Sequence, residues 1–544
     1  ETVPDADKME LGKIYHMGRE EKADLILNRQ AMASHTFVTG STGTGKSNAV
    51  YHLLDEITKD GRTSFLVVEP AKGEYKNVFG SRADVKVFGT NPRETPLLRI
   101  NPFAFPQDIH ILEHIDRLVE IFNACWPMYA AMPAVLKDAI ERSYQKVGWD
   151  LRNSESEKGG FPTFFDLLDI LPGVIEESHY SKDTQSDYVG ALCTRVKSLT
   201  NGIYGSVFCA EDALSDAELF DCNVVVDLSR VGSMETKSLL MGILVMKLQE
   251  YRMCSSGMNS RLRHVTVLEE AHNLLRKTSA EQSQEGANLQ GKSVEMLANA
   301  IAEMRTYGEG FIIADQAPGL LDMSVIRNTN TKIILRLPDE EDRKLVGKSA
   351  ALKEAQIDEL SKLPLGVAAV YQNEWPEAVL CKIEAYPMPE SALYCKPAEQ
   401  TPVNTEFVLS HLAAGQKLEP LGVSEMEQVK RWLKRHEMML KPEDGRYLEQ
   451  VFAGGELDVA KTRKAVFDFF GGISTVVDYC AAAEKSFTPR KEFLEQLQGQ
   501  YGLKAAAADW VLNSVISMGM SLNPDAKAVD NLRTNFEQQG GRVL

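Results

Sequence analysis

The chain has 544 residues, and its 60 lysines and arginines against 77 aspartates and glutamates give a formal net charge of −17. A hydrophobic share of 44% and a charged share of 25% are ordinary for a folded chain, which excludes a wholly disordered, collagen-like or disulfide-stapled protein. No apolar run approaches the roughly 20 residues of a membrane-spanning helix. The acidic balance means that any contact with DNA must come from a local basic patch.

Eight cysteines lie along the chain without C-x-x-C or metal-site spacing, which predicts reduced, buried thiols. The first residues show neither the basic nor the apolar segment of a signal peptide. They also lack a starting methionine, so we expect the numbering to begin inside a longer natural chain. Together these features predict a cytoplasmic protein with no membrane partner.

The first predicted elements form a strand–loop–helix–strand unit. Residues 1–34 contain short strand-like runs that lead into it, and the apolar run at residues 35–39 precedes a glycine-rich turn. A helix ending near Lys59 follows, and then a second strand at residues 64–69. This order predicts an α/β domain, whose first part we place at residues 35–107.

Helical periodicity replaces the strand signal in residues 108–208. Ile111, Ile115, Leu118 and Phe122 fall on one face of a helix, and a further helix is expected to open at the next proline. We therefore predict a helical insertion into the α/β domain.

Strand signals resume in residues 209–385, the second part of the predicted core. The expected strands lie at residues 223–228, 264–268, 310–315 and 331–337, with a closing hairpin at 367–371 and 378–383. Helices are expected at 235–252 and 293–307, and the polar stretch 276–292 is expected to be a loop. A proline-rich linker at 386–403 then leads to an all-helical region at 404–544, with helices near 425–440, 458–470 and 491–498.

Residues 40–47, G-S-T-G-T-G-K-S, match the phosphate-binding loop G-x-x-x-x-G-K-[ST] at every constrained position. Glycines let the backbone wrap a phosphate with its N–H groups pointing inward, and the following helix adds its positive end. Lys46 would reach the β- and γ-phosphates of ATP, and Ser47 would bind Mg²⁺. The predicted nucleotide contacts are Gly40, Thr42, Gly43, Thr44, Gly45, Lys46, Ser47, Asn48 and Arg336.

Two acids at the end of a buried strand supply the rest of the chemistry. Residues 265–268 are apolar or β-branched and run directly into Glu269 and Glu270, at the strand end where ligands bind in open α/β sheets. Glu269 is predicted to hold Mg²⁺ through a water molecule, and Glu270 is predicted to orient or deprotonate the attacking water.

Phosphoryl transfer also needs a cation near the developing charge. Arg305 lies at a predicted helix end just before a strand and is the first candidate, while Arg327 and Arg336 are further ones. Gln316 ends that strand and is predicted to sense the γ-phosphate.

These residues resemble the HerA branch of the HerA/FtsK ATPases. The resemblance rests on V-T-G-S-T-G-T-G-K-S-N at residues 38–48, V-L-E-E-A-H-N-L-L at 267–275, E-M-R-T-Y-G-E-G-F-I-I-A-D-Q at 303–316 and N-T-K-I-I-L-R-L at 330–337. It implies a RecA/FtsK-like α/β fold, in which a mostly parallel sheet is flanked by helices.

The resemblance also implies a function. Such proteins form hexameric rings that use ATP to move double-stranded DNA through a central pore, and the arginine matching Arg305 acts on the site of a neighbouring subunit. Bacterial members work with a partner nuclease in DNA-end processing, or with a nuclease or a sirtuin-like NAD-consuming effector in anti-phage defence.

The sequence departs from the family pattern at three places. Family members carry an N-terminal β-barrel, and almost none of it precedes Lys13. Glu69 follows the second strand where aspartate is usual, and Glu269 likewise replaces an aspartate. Neither exchange is predicted to abolish hydrolysis.

Basic residues in loops are the predicted DNA contacts, because a pore needs phosphate contacts that read no sequence: Lys72, Lys76, Arg276, Lys277 and Lys292. Residues 108–208 and 404–544 are candidates for docking a partner. Two other functions stay open, namely an ATP-gated scaffold that assembles an effector without processive translocation, and a conjugation- or secretion-type ATPase.

Overall fold

The computed structural model describes residues 3–389, except 130, 157–159, 211–212 and 279–285, and residues 441–544, except 453–454, 486–487, 502 and 504, together with Val429 and Leu433. The chain separates into two compact units, Glu1–Ala398 and Glu399–Leu544. Most of the predicted linker at 386–403 and nearly all of the predicted helix at 425–440 lie outside the described residues.

The first unit is built on one large sheet. Its strands are β1 (Lys8–His16), β2 (Arg19–Asn28), β3 (Thr36–Thr39), β4 (Ser64–Glu69), β5 (Val85–Gly89), β8 (Asn223–Asp227), β9 (His264–Glu269), β10 (Glu309–Asp315), β11 (Thr331–Ile334), β12 (Val367–Gln372) and β13 (Val379–Lys382), while β6 (Trp149–Asp150) and β7 (Glu155–Ser156) form a separate hairpin. The order across this 11-stranded sheet is β2-β1-β13-β12-β11-β3-β10-β9-β4-β8-β5.

The strands from β11 to β5 run parallel, and the four strands on the other side of β11 are antiparallel. Parallel strands covered on both faces should consist of continuous apolar runs. All four residues of β3, all six of β9 and all seven of β10 are accordingly buried. The predicted class, a mostly parallel sheet flanked by helices, is confirmed.

Helices cover both faces of this sheet. They are α1 (Lys46–Thr58), α2 (Tyr75–Phe79), α3 (Ile111–Cys125), α4 (Met132–Lys146), α5 (Phe164–Glu177), α6 (Lys182–Tyr188), α7 (Thr194–Thr200), α8 (Gly202–Phe208), α9 (Asp216–Phe220), α10 (Met234–Ser255), α11 (Gly286–Glu303), α12 (Met323–Arg327), α13 (Glu340–Ser349) and α14 (Glu354–Glu359). One face packs on α1, through Val50 and Leu54 among others. The other face packs on α3, α10 and α11, so the helices of residues 108–208 extend the core on that side.

One strand of the sheet was not predicted, and one predicted loop is wrong in part. β5 carries no predicted strand, because Lys86 interrupts its short apolar run; the strand lies at the sheet edge, where that lysine stays exposed. The polar stretch 276–292 is not a loop throughout, since α11 already begins at Gly286. Leucine and glutamine residues in that stretch favour helix despite its polarity.

The second unit is helical. Its described helices are α15 (Pro442–Phe452), α16 (Val459–Phe469), α17 (Ile473–Lys485), α18 (Pro489–Tyr501), α19 (Ala505–Leu522) and α20 (Ala526–Gln538). Asp458 and Asp525 accept N–H bonds from the first turns of α16 and α20, which stabilises both helix starts. The core of this unit forms around Phe452, Tyr479 and Ile516.

Among the described helices, none taken alone has both the length and the apolar character required to cross a membrane. Only a bent pair, Val459–Phe469 with Ile473–Ala483, meets the requirement by length and composition, with a 69° angle at its break.

Candidate active site

The carboxyl ends of four strands meet at one edge of the sheet. Thr39 at the end of β3 pairs with Asp315 of β10 and Ile334 of β11, and Glu269 of β9 pairs with Ala314 of β10. The residues that follow these strands therefore emerge side by side. This edge is where ligands bind in parallel α/β sheets.

The phosphate-binding loop connects β3 to α1 at this edge. Gly43 and Gly45 have φ angles of +76° and +106°, which only glycine adopts without strain. A Cβ on Gly40 would lie 2.8 Å from the Cβ of Leu335, so this glycine is required by close packing. Thr44 Oγ1 donates to the Ser41 carbonyl at 2.7 Å and closes the loop.

Lys46 lies between the two predicted acids. Its ammonium is 3.0 Å from Glu270 Oε1 and 3.3 Å from Glu269 Oε2, and the three side chains are at most 10% exposed. Burial alone would lower the pKa of Lys46, but the charges of Glu269 and Glu270 outweigh it and raise that pKa. The lysine that would bind phosphate is thus fully charged and held by the carboxylates.

Gln316 joins the phosphate-binding loop to Glu270. Its amide donates to Glu270 Oε2 at 3.2 Å, and its carbonyl accepts from Thr42 Oγ1 at 2.8 Å. Glu270 itself has a left-handed backbone, with φ +45°, and Asn273 donates to its carbonyl from both the backbone and the side chain. Left-handed conformations of non-glycine residues are costly and occur often at functional sites.

Asp315 and His272 lie behind Glu270. The carboxylate of Asp315 accepts from the backbone and Nδ1 of His272 at 2.8 and 2.9 Å, and His272 Nδ1 lies 3.6 Å from Glu270. The hydrogen bond to Asp315 raises the pKa of His272. A charged histidine therefore lies beside the predicted water-activating carboxylate at mildly acidic pH.

Two further residues contribute to this site. Tyr75 was not predicted as a site residue, and Glu69 was predicted without any contact to the site. The phenol of Tyr75 at the start of α2 is buried and donates to Glu269 Oε1 at 2.6 Å. Glu69 accepts from the N–H groups of Glu74 and Tyr75 at 2.7 and 3.0 Å, which fixes the start of that helix. The available signal was E-P-A-K-G-E-Y after β4, a turn that returns the chain to the same strand edge.

A cavity of about 430 Å³ opens over the phosphate-binding loop. Its lining includes most of residues 40–48 together with Lys72, Glu270, Gln316, Leu365 and Lys382. The Asn48 side chain is bonded to the backbone of Glu384 and Tyr386, so it fixes one wall of the cavity. Arg336 is exposed, and its carbonyl accepts from Ser41 at the loop.

Arg305 and Arg327 lie at the opposite edge of the sheet. Arg305 is exposed in a short turn before β10 begins, whereas Gln316 follows the end of the same strand. The seven residues of β10 at about 3.3 Å each separate the two by roughly 20 Å. Arg327 precedes β11 and shares that far edge.

The predicted DNA contacts differ in their exposure. Lys76 is 6% exposed and bonded to Asp227 and Glu94 at 2.7 Å each, so its ammonium is engaged in two interior ion pairs. The remaining four are exposed, and Lys292 lies on α11 rather than in a loop: Lys72, Arg276, Lys277 and Lys292.

A glycine-rich loop between a buried parallel strand and a helix, with its lysine beside two acids at the end of a neighbouring strand, defines a P-loop NTPase. Residues 9–158 match the family described as "Helicase HerA, central domain". The predicted resemblance to HerA-type ATPases is confirmed as a similarity over these residues, and the chain is a P-loop NTPase.

Curated relatives agree with this assignment. The DNA double-strand break repair helicase HerA of Sulfolobus acidocaldarius is 25% identical over 397 residues, which cover 71% of each chain. The protein of the same name from Sulfurisphaera tokodaii is 23% identical over 391 residues, again 71% of each chain.

Solved structures share the fold. VirB4 of Thermoanaerobacter pseudethanolicus superposes with a TM-score of 0.53 at 18% identity, over 71% of this chain and 98% of that one. The plasmid coupling protein TrwB in complex with ADP and Mg²⁺ superposes with a TM-score of 0.50 at 15% identity, over 71% of this chain and 96% of that one.

Proposed function

We propose that this chain is the ATP-hydrolysing subunit of a hexameric ring that moves double-stranded DNA through its pore. The observation that supports this most is the division of the catalytic set between two sheet edges. Lys46, Glu269, Glu270 and Gln316 share the carboxyl edge, while Arg305 lies about 20 Å away at the other. One subunit therefore cannot complete its own site, but a ring of copies can.

ATP is proposed to occupy the cavity over the phosphate-binding loop. Loop N–H groups and the start of α1 would bind its phosphates, and Lys46 would leave the two carboxylates for the β- and γ-phosphates. Glu270, released from this ion pair and still bonded to Gln316, would then accept a proton from the attacking water.

Mg²⁺ fits the donors that the site offers. Ser47 provides a hydroxyl at the first turn of α1. Tyr75 occupies Oε1 of Glu269, and Oε2 would become available to the metal once Lys46 turns from it to the phosphates. Such hard oxygen donors are what Mg²⁺ prefers. When bound, the ion would neutralise charge on the β- and γ-phosphates.

Arg305 is proposed to act on the neighbouring subunit's site, where its guanidinium would stabilise charge developing on the γ-phosphate. The exposed side chain and its distance from the chain's own site support this role. The exposed Lys72, Arg276, Lys277 and Lys292 are proposed to contact DNA phosphates; Lys76 is excluded because its ammonium is committed to Asp227 and Glu94.

The partner is proposed to be a nuclease or a sirtuin-like NAD-consuming effector, in DNA-end processing or anti-phage defence. Residues 108–208 and 404–544 would dock it, because the catalytic residues proposed above all lie outside these two stretches of the sequence. Removal of residues 404–544 should abolish co-purification of the partner, and full co-purification would exclude docking by that region.

The direct test mixes two inactive variants. Lys46→Ala removes the phosphate lysine but keeps Arg305, and Arg305→Ala does the reverse. When equal amounts of the two variants are mixed and reassembled at random, about a quarter of the subunit interfaces should combine an intact Lys46 with an intact Arg305. Those interfaces should regain hydrolysis. Duplex DNA should stimulate the wild-type rate, and native mass should show a ring. Mixtures that stay inactive would exclude the shared site.

A second candidate is an ATP-gated scaffold, favoured by one observation. The Lys46–Glu270 ion pair links a predicted nucleotide-binding residue directly to the predicted water-activating residue, so a phosphate that binds Lys46 would also act on Glu270. Glu270→Gln separates the two functions. If partner activation survives while hydrolysis and DNA movement are lost, the scaffold function is correct. A conjugation-type ATPase would instead require a membrane-bound assembly for activity.

A further inference from the structure

The neighbourhood of Glu269 contains a buried hydroxyl that the proposed hydrolysis leaves without a role. Tyr75 is 1% exposed, and its phenol donates to Glu269 Oε1 at 2.6 Å. Its ring lies edge-on to Tyr51 of α1, with the ring centroids 5.0 Å apart. Burial raises the pKa of the Tyr51 phenol, and a hydrogen bond with the Ser47 hydroxyl partly opposes this rise.

Two contacts fix the position of Tyr75, one at its own backbone and one at the side chain of the next residue. Glu69 at the end of β4 accepts from the backbone of Tyr75, and burial raises the pKa of that carboxyl to about 7. Lys76, the next residue, is bonded to Asp227 at the end of β8. Three adjacent strand ends therefore determine where the Tyr75 hydroxyl lies, and a hydroxyl fixed in this way is pre-organised.

We propose that Tyr75 is a positioning residue for the metal-side carboxylate. By holding Oε1 of Glu269, it leaves Oε2 as the atom that meets Mg²⁺ and prevents the longer glutamate side chain from turning away. The inference deepens the proposed function and rests on it. It also explains how glutamate can replace the shorter aspartate at this position, because the hydrogen bond from Tyr75 to Oε1 restrains the longer side chain.

Partners of metal-bound carboxylates have measurable effects. Removal of such an outer partner typically costs 10- to 100-fold in metal affinity or activity. Tyr75→Phe deletes only the hydroxyl and keeps the ring against Tyr51 and Phe79. The expected defect is weaker binding of the metal with nucleotide, and excess metal should correct it.

Tyr144 offers a matched control. It is also fully buried on α4 of the helical insertion, and its hydroxyl is bonded to the carbonyl of Phe103, which precedes the insertion. Tyr144→Phe removes one buried hydroxyl bond, as Tyr75→Phe does. Any general loss of stability should therefore be shared by the two variants, whereas a metal effect should be confined to Tyr75.

The experiment measures Mn²⁺ binding to the full chain by electron paramagnetic resonance, with a non-hydrolysable ATP analogue present. Tyr75→Phe should weaken Mn²⁺ binding by about 10-fold or more, and Tyr144→Phe should leave it unchanged. In a parallel Mg²⁺ titration of hydrolysis, Tyr75→Phe should need more Mg²⁺ but approach the wild-type rate at saturation. Thermal melting confirms that each variant is folded.

The possible outcomes are distinct. Equal Mn²⁺ binding by wild type and Tyr75→Phe, or a rate that excess Mg²⁺ does not restore, would overturn the positioning role while leaving the proposed function intact. A wild-type chain that binds no Mn²⁺ with the analogue would overturn both. If Tyr75→Phe does not fold, Glu69→Gln weakens the same placement from the other side and should shift Mn²⁺ binding in the same direction.

Discussion

Two clusters of buried charge lie at opposite edges of the same sheet. At the carboxyl edge, Lys46 bridges Glu269 and Glu270 beside a cavity of about 430 Å³. At the amino edge, Arg252 and Glu309 have no exposed side-chain surface, and their ion pair of 2.9 Å is joined by His264. Both clusters are well paired; the first borders a cavity, whereas Arg252, Glu309 and His264 of the second are buried in the interior.

This difference distinguishes a ligand-binding site from an ion pair that only stabilises the fold. In the amino-edge cluster, Glu309 accepts from Arg252, His264 and Thr266, and Arg252 also reaches Asp221. Each charge there has a permanent partner. In the carboxyl-edge cluster, one ammonium is shared by two carboxylates. If a phosphate takes that ammonium, Glu269 keeps the hydrogen bond from Tyr75 and Glu270 keeps the hydrogen bond from Gln316.

The largest expected effect is on hydrolysis. Arg305→Ala should lower the rate by about 10³- to 10⁵-fold, because it removes the cation that completes the neighbouring site. Steady-state hydrolysis by the assembled particle measures this change. Arg327→Ala, at the same end of the strands, is the control and should retain most activity. Equal losses in both variants would show that these arginines support ring assembly and not the chemical step.

Glu270→Gln should lower hydrolysis by about 10²- to 10⁴-fold, as expected for loss of a general base. Nucleotide binding should persist, because Lys46 loses one competitor for its ammonium. Fluorescent nucleotide titration and turnover measured together test this pair of outcomes. Weaker nucleotide binding would contradict the proposal that the phosphates take Lys46 from Glu270.

A substitution in the amino-edge cluster should lower the free energy of unfolding rather than the rate of hydrolysis. Glu309→Gln leaves the buried Arg252 without its main charge partner, and breaking a buried pair typically costs about 3–5 kcal/mol of unfolding free energy. Denaturant unfolding of the chain measures this loss. Glu177→Gln removes the partner of Arg142 in an exposed pair and should cost about 1 kcal/mol or less.

The smallest expected effect is a pH dependence at Glu69. Burial raises its folded-state pKa to about 7 from the usual 4.5, so folding favours the protonated form. This stabilisation is complete below pH 4.5 and is lost as the pH rises through 7. Relative to Glu69→Gln, the wild-type melting temperature should therefore fall between pH 5 and pH 8. A constant difference would show that Glu69 is ionised throughout.

The sequence was sufficient wherever the signal is local. The phosphate-binding loop is one continuous motif, and β9 and β10 are apolar runs that end in polar residues. It was insufficient where function depends on residues distant in the chain. Tyr75 and Glu269 are 194 positions apart, and only the strand order places one beside the other.

Backbone conformation was equally inaccessible from the sequence. The left-handed backbone of Glu270 depends on Asn273 and on the short turn after β9, and no propensity at a glutamate indicates it. β5 was missed for a related reason: its strand character comes from pairing with β8 at the sheet edge, while its own five residues include a lysine.

The length of β10 has a further consequence. Gln316 follows one end of this buried strand and contacts the chain's own phosphate-binding loop, whereas Arg305 precedes the other end and is proposed to serve the next subunit. A fully buried strand is stiff, so displacement at one end is transmitted to the other. In the proposed ring, each β10 strand would couple the nucleotide site of its own subunit to the site of the next subunit. Hydrolysis would then proceed from site to site in sequence rather than independently.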